Sequence, residues 1–202
     1  MTDIPIPMPI MTPRLMLRPI QVSDAEAMLD YKRESWAEFQ KWMTWVHPPS
    51  IEIRTVEDER KFCTHFIGRL ERREAIPCLA FSRADGTLIG SGNLNHCKWD
   101  IPMFILGYAV RTGKTGQGYA TETGTALARY AFEALGARKI ATFYADGNIG
   151  SKRAIEKIGF EKEGVLRKQH LLADGALVDE HHYGMLDAGR LPEMDVKWGG
   201  RD

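Results

Sequence analysis

The chain has 202 residues, 44% hydrophobic and 27% charged, which suits one globular domain and leaves little room for two. Its 27 basic and 27 acidic residues cancel, so overall charge draws it to neither nucleic acid nor an anionic membrane, and no apolar run nears the roughly 20 residues that span a bilayer. The 3 cysteines, Cys63, Cys78 and Cys97, are scattered and in no Cys-x-x-Cys arrangement; the spacing argues against a disulfide framework or a zinc site and for free thiols in a reducing cytoplasm.

Residues 1–11 open apolar and Pro-rich, without the basic start and long apolar run of a signal peptide, and read as a loose leader. Arg14 to Ile20 is mostly apolar and predicts a first strand. Ser23 with Glu26 fits a capping box and predicts a short helix carrying Ala25, Met28, Leu29 and Tyr31. Trp36, Phe39, Trp42 and Trp45 follow in a segment that ends at Pro48-Pro49. Thr55 with Asp58 is a second capping box, and Phe62, Phe66, Ile67 and Leu70 behind it fall at helical spacing.

From residue 76 the pattern shifts to short apolar runs. Ile76 to Ser82 and Leu88 to Leu94 flank Asp85-Gly86, a hairpin signal, and Met103 to Val110 adds a further strand. A glycine-rich loop, Gly113 to Gly118, leads into a helix striped with Ala120, Leu127, Tyr130, Ala131 and Ala134 and stopped by Gly136. Ile140 to Tyr144 is a strand, and Asn148 or Ser151 caps a short helix that turns Ala154, Ile155 and Ile158 inward. Phe160 to Leu172 and Ala176 to Leu186 read as two strands joined by Asp174-Gly175. Residues 188–202 read as a weakly ordered tail. The order predicts a single α/β domain over 12–187, with helices flanking one mixed, mainly antiparallel sheet.

Strand, glycine loop and helix N-terminus make an anion-binding concavity, because small residues let backbone N–H groups converge and the helix dipole adds positive charge. A lone loop of this kind is as often a plain turn, so spacing decides. A P-loop would end in Gly113-Lys114-Thr115, but its first glycine falls on Tyr108. The dinucleotide pattern starts at Gly116 and fails at Thr121, where it needs glycine. Gly116-x-Gly118-x-Ala120 matches most of the loop that holds acetyl-CoA.

Here the chain resembles the GNAT superfamily, and within it the RimJ/RimL-like N-acetyltransferases. The likeness runs from Thr12 to Leu186 through Thr-Pro-Arg-Leu-Met-Leu-Arg-Pro (12–19), Leu-Gly-Tyr-Ala-Val (106–110), Gly-Gln-Gly-Tyr-Ala-Thr-Glu (116–122), Asn148-x-x-Ser151, Glu-Lys-Ile-Gly-Phe (156–160), Glu-Gly-Val-Leu-Arg (163–167) and Asp179-x-x-x-Tyr183. Each piece is weak alone; their order and spacing carry the resemblance. It implies a GNAT-type domain with a splayed sheet. The implied reaction is direct transfer of acetyl from acetyl-CoA, the cosubstrate, to a primary amine on a protein N-terminus or a small molecule, with no acyl-enzyme.

The resemblance also implies roles for residues. Backbone N–H groups of Gly116, Gln117, Gly118, Tyr119, Ala120 and Thr121 would cradle the pyrophosphate, with Glu122 suiting the helix dipole. The strand edge at Tyr108, Ala109 and Val110 would pair with the pantetheine arm, and the N–H of Ala109 or Val110 would polarise the thioester carbonyl. Asn148 aligns with a cofactor-binding asparagine, and Ser151 with a serine that contacts the cofactor and protonates the departing thiolate; capping is the plainer role of both. Trp42 and Trp45 fall where the family builds its acceptor pocket, with core packing an equal alternative. Asn93 would bond the acceptor.

The chain departs from the family at three positions. Thr115 replaces the usual Gln or Arg that opens the loop, Ile105 replaces a common Glu, and Ile155 stands where other branches carry a tyrosine acid. Both usual acid/base side chains are thus missing. That leaves proximity and a water relay, or a histidine: His96, or His181 and His182 beside Glu180. No metal, nucleic acid or membrane partner is implied, and a homodimer stays open. A non-catalytic acyl-CoA-binding sensor of the same fold remains the alternative.

Overall fold

The computed structural model describes residues 4–43 and 54–200, so Trp45 and Pro48-Pro49 lie outside the described residues. Within them, nine strands form one sheet: β1 (Ile10–Met11), β2 (Leu15–Pro19), β3 (Ala75–Ser82), β4 (Leu88–Lys98), β5 (Met103–Val110), β6 (Lys139–Ala145), β7 (Glu161–Leu171), β8 (Leu177–Met185) and β9 (Lys197–Trp198). Their spatial order is β7-β8-β6-β5-β4-β3-β2-β1-β9. The paired neighbours run antiparallel except β5 and β6.

That parallel pair is bonded only where Met103, Phe104 and Ile105 meet Lys139, Ile140 and Ala141. Beyond it β5 stays with β4 as far as Val110, while β6 stays with β8 as far as Ala145. The two strands therefore part, and the sheet opens into a V with a backbone edge on β5. Unpaired strand edges are templates for another extended chain.

Two helical layers cover the sheet. α1 (Ala25–Trp42) and α2 (Val56–Glu71) put Met28, Tyr31, Phe39 and Cys63 against Leu79, Phe81 and Leu88. On the other face α3 (Tyr119–Glu133) and α4 (Ile149–Ile158) put Leu127, Tyr130, Ala131, Ile155 and Ile158 against Leu94, Phe104 and Leu106. α3 packs closely because its buried stripe is rich in alanine: Ala126, Ala128 and Ala131 are fully covered.

Local signals fixed some boundaries and missed others. The Thr55–Asp58 capping box forms, with the Thr55 N–H donating to Asp58 Oδ2 at 2.8 Å and the Asp58 N–H to Thr55 Oγ1 at 3.2 Å. The first helix starts differently from the expected Ser23–Glu26 box. Asp24 takes the Gln21 N–H at 2.8 Å and the Arg18 guanidinium at 2.6 Å. This helix is 18 residues long rather than short, and absorbs Trp36, Phe39 and Trp42, because no breaker interrupts its stripe before Met43.

Both ends, expected to be loose, join the sheet. Ile10 and Met11 pair with β2 on one side and β9 on the other. Ile10 is fully buried, and Trp198 packs edge-on against Tyr130 at 5.8 Å. Two-residue strands show no period, which is why composition alone reads them as loose.

Candidate functional site

The glycine loop meets α3 at Gly118, whose φ of 84° is left-handed; Gly116 has φ 74°. Side-chain-bearing residues resist that region, so glycine shapes the turn. Gly118 sits at the N-cap with no side-chain cap, which leaves first-turn N–H groups of α3 for an outside acceptor.

Arg14 holds this loop from beneath. It donates from Nη1 to the Gln117 carbonyl at 3.1 Å, lies 4.3 Å over the Tyr119 ring, and pairs through Nε with Glu122 at 2.6 Å. Glu122 is buried and also accepts from Thr12 Oγ1 at 2.5 Å and the Arg14 N–H at 3.0 Å. Its oxygens are thus engaged by the protein, and it clamps the β1–β2 turn to the loop. Sequence reasoning missed this bracing role of Arg14. Nothing near it in sequence announces a partner 108 residues away.

From the loop a cavity of about 560 Å³ runs along the open edge of β5, lined by Thr115, Ala120, Tyr108, Val110, Asn148 and Ser151 among others. Asn148 Oδ1 accepts the Ser151 N–H at 3.0 Å, so Asn148 is the helix cap and Ser151 is not. The Tyr108 hydroxyl donates to the Ser151 carbonyl at 3.3 Å, and burial pushes its pKa up to about 12, which keeps it protonated at neutral pH. Ile155, where a tyrosine acid was looked for, is fully buried core.

Trp42, expected in the acceptor pocket, lines this cavity. The reason is the length of α1, which carries Trp42 over Gly147, where a Cβ would lie 3.5 Å from the indole. The Trp42 carbonyl is 3.1 Å from His170 Nε2.

A second cavity, of about 310 Å³, lies between the sheet and the α1–α2 layer, and Ala109 and Phe39 line both. Its floor is the alternating row Ser91, Asn93 and Asn95 of β4, with Ser91 opposite Ala109 and Asn93 opposite Gly107. A Cβ on Gly107 would stand 2.7 Å from Asn93 Oδ1, so glycine is what lets Asn93 lie flat; that oxygen accepts from Asn95 Nδ2 at 2.5 Å. Tyr31, Phe39, Phe62 and Phe66 form the roof. The Tyr31 hydroxyl is buried, and burial drives its pKa above the usual tyrosine range, the nearby Ser91 hydroxyl lowering it less.

Charge in this cavity comes from Lys32 and Arg69. Lys32 is 2% exposed; its Nζ lies 2.6 Å from Glu59 Oε2 and 3.5 Å over the Phe62 ring. Burial pulls its pKa down and Glu59 pulls it partly back. Arg54 donates to the other Glu59 oxygen at 2.8 Å. Sequence reasoning missed this wall, because Tyr31, Lys32, Phe62, Phe66 and Arg69 read as ordinary positions of two amphipathic helices.

The histidine candidates fall elsewhere. His96 is exposed, with φ 48°, in a bulge at the cavity mouth. It lies five residues along β4 from Ser91, roughly 16 Å at strand rise. His181 pairs with Asp146 at 3.1 Å and stacks on Tyr144, while His182 pairs with Glu180 at 2.7 Å and stacks on Phe143. These two point to opposite faces and line neither cavity.

Residues 14–161 match the acetyltransferase (GNAT) domain family. The probable N-acetyltransferase YjcK of Bacillus subtilis is 32% identical over 155 residues, covering 76% of this chain and 84% of that one. Among solved structures, Mycobacterium smegmatis RimJ in complex with CoA-disulfide superposes with a TM-score of 0.79 at 23% identity, over 93% of this chain and 90% of that one. RimL, a ribosomal L7/L12 α-N-protein acetyltransferase in complex with coenzyme A, gives 0.77 at 21% identity, over 92% and 98%.

Proposed function

The chain belongs to the GNAT acetyltransferase family, and we propose that it transfers acetyl directly from acetyl-CoA to a primary amine on a protein N-terminus or a small molecule. The observation that carries this reading is the meeting of two cavities at Ala109, beside the open edge of β5. The loop fits a pyrophosphate: α3 is uncapped, and a Cβ at Gly116 would touch nothing within 4 Å. The CoA complexes of RimJ and RimL support the same assignment.

Bound there, acetyl-CoA supplies an activated acetyl group on a good leaving group. The N–H groups of Gly116, Gln117, Gly118, Tyr119, Ala120 and Thr121 receive the pyrophosphate. The edge of Tyr108, Ala109 and Val110 orients the pantetheine, and the Val110 N–H meets the negative charge that develops on the acetyl oxygen, the Ala109 N–H facing Ser91 of β4 instead. Asn148 fixes the turn that presents Ser151, whose hydroxyl passes a proton to the departing sulfur and takes one back from solvent in the cavity. Asn93, on the floor of the second cavity, bonds the amine acceptor. The incoming amine, which His96 lies too far out to reach directly, loses its proton to water through the cavity mouth. Burial holds Cys63, Cys78 and Cys97 protonated, which suits a cytoplasmic protein.

Thermal unfolding with ligand tests the cofactor assignment. Acetyl-CoA at about 100 times its dissociation constant should add about 2.7 kcal/mol of stability, and Mg-ATP should add none. A larger shift with Mg-ATP, or none with acetyl-CoA, contradicts it.

A further inference from the structure

The smaller cavity carries a charge pattern that bears on the acceptor's chemistry. Among the described residues its lining includes two cationic side chains, Lys32 and Arg69, and no carboxylate. Glu59 stands behind the lining and is shared by Lys32 and Arg54, so one carboxylate faces two cations. Glu74 is shared likewise, at 3.7 Å from Arg69 and 2.7 Å from Arg72. The charge that the lining itself turns toward the acceptor space is therefore positive. A polyamine would have to bring further cations into it, against like-charge repulsion in a half-closed site.

The cavity also has a direction. Its inner end is the Ser91–Ala109 pair, shared with the cofactor cavity. Its outer end is Arg69 and His96, which also border the outer cleft beside Glu74 and Lys98. From Ser91 to Asn95 the floor spans roughly 13 Å. Its Asn93 and Asn95 amides suit a polar chain, and the aromatic roof suits apolar substituents.

Resting on the transfer reading above, we infer that the acceptor is a primary amine that carries a carboxylate several bonds away. The amine docks at the Ala109 end and the carboxylate at the Arg69 end. Short peptides with an acidic side chain or a free C-terminus have both this chemistry and this reach, and guanidinium is the side chain whose fork matches a carboxylate.

The experiment measures thiol release from acetyl-CoA with matched acceptors. Acidic amino acids and short peptides are run beside the same molecules with the carboxylate amidated, and spermidine is run as a polycation. The carboxylated peptide of each pair should have the lower KM, and single acidic amino acids, too short to span the cavity, should gain less from theirs. Arg69→Gln should raise KM for carboxylated acceptors about tenfold or more, leave kcat near wild type, and leave the amidated partners unmoved; Arg69→Lys should recover part of the loss. Arg69 is part-exposed and unconnected to the buried Lys32–Glu59 pair, so the variant should fold. Spermidine or amidated acceptors turned over as well as the acids would overturn the inference and leave acetyl transfer standing. So would an Arg69→Gln variant that changes both members of a pair equally. No turnover with any amine would sink both readings.

Discussion

The two cavities that meet at Ala109 are built from different material. Backbone shapes the loop end of the proposed cofactor cavity: glycines in left-handed turns, an uncapped helix end and the open edge of one strand. Side chains make the acceptor cavity, drawn from α1, α2, β3, β4 and β5 and braced by a buried ion cluster. Backbone chemistry constrains residue type, since close approach and positive φ demand small residues at fixed spacing. Side-chain chemistry constrains only the sum of many contributions. One cavity can therefore change its ligand by substitution, and the other can scarcely be altered without losing it.

The largest expected effect lies on the side-chain cavity. Lys32→Met leaves Glu59 buried with Arg54 as its remaining cation, and should cost toward the lower end of the ~3–5 kcal/mol seen when a buried pair is broken. Urea unfolding would measure it, and the folded fraction should still bind CoA with wild-type affinity. Weakened CoA binding in that variant would show that the two cavities are not separable.

Ser151 lines the proposed cofactor cavity, and the chemistry proposed for it is protonation of the departing sulfur. Ser151→Ala should lower kcat by up to ~100-fold with acetyl-CoA affinity intact. Because Asn148 is the cap, Tm should hold. Equal kcat removes Ser151 from the reaction, and a fall in Tm alone gives it a packing role. Gly118→Val should raise the CoA dissociation constant about tenfold or more, through its left-handed φ and the blocked approach to the loop N–H groups, with the acceptor cavity unaffected. Unchanged affinity, read by calorimetry, would make the loop a plain turn.

The smallest effect lies outside both cavities and calibrates them. Asp58 is held below the usual carboxylate range first by the Thr55 backbone N–H and then by its hydroxyl. A folded value below the unfolded one means stabilisation that is complete above the ordinary carboxylate range and lost as pH falls through the folded value. Wild type should therefore melt slightly above Asp58→Asn at neutral pH, and the gap should close on acidification. A gap that widens in acid would reverse the assignment.

The same contrast explains what could be read in the amino-acid order. Gly116-x-Gly118-x-Ala120 lies in one stretch, and so does Asn148-x-x-Ser151, so the loop, its helix and the splayed mixed sheet were legible. The Thr55–Asp58 box was legible too, since both partners sit within one turn. Arg14 and Glu122, Lys32 and Glu59, and the Tyr31–Ser91 wall join residues far apart, each unremarkable in its own element. The place of Trp42 was not legible for a local reason: nothing in the tryptophan spacing showed that α1 continues to residue 42 and turns its last ring toward Gly147. His96 stood at the end of the expected strand, and a bulge carries it outward.

The central claim is direct transfer between two cavities that share Ala109. Its most direct measurement mixes purified protein, acetyl-CoA and a panel of primary amines, and follows free thiol and acetylated amine together by colorimetry and mass spectrometry. The expected result is one acetylated amine for each thiol released, with no acetylated protein formed when the amine is omitted. Binding of acetyl-CoA without thiol release for any amine, or an acetylated enzyme that forms first, would contradict it.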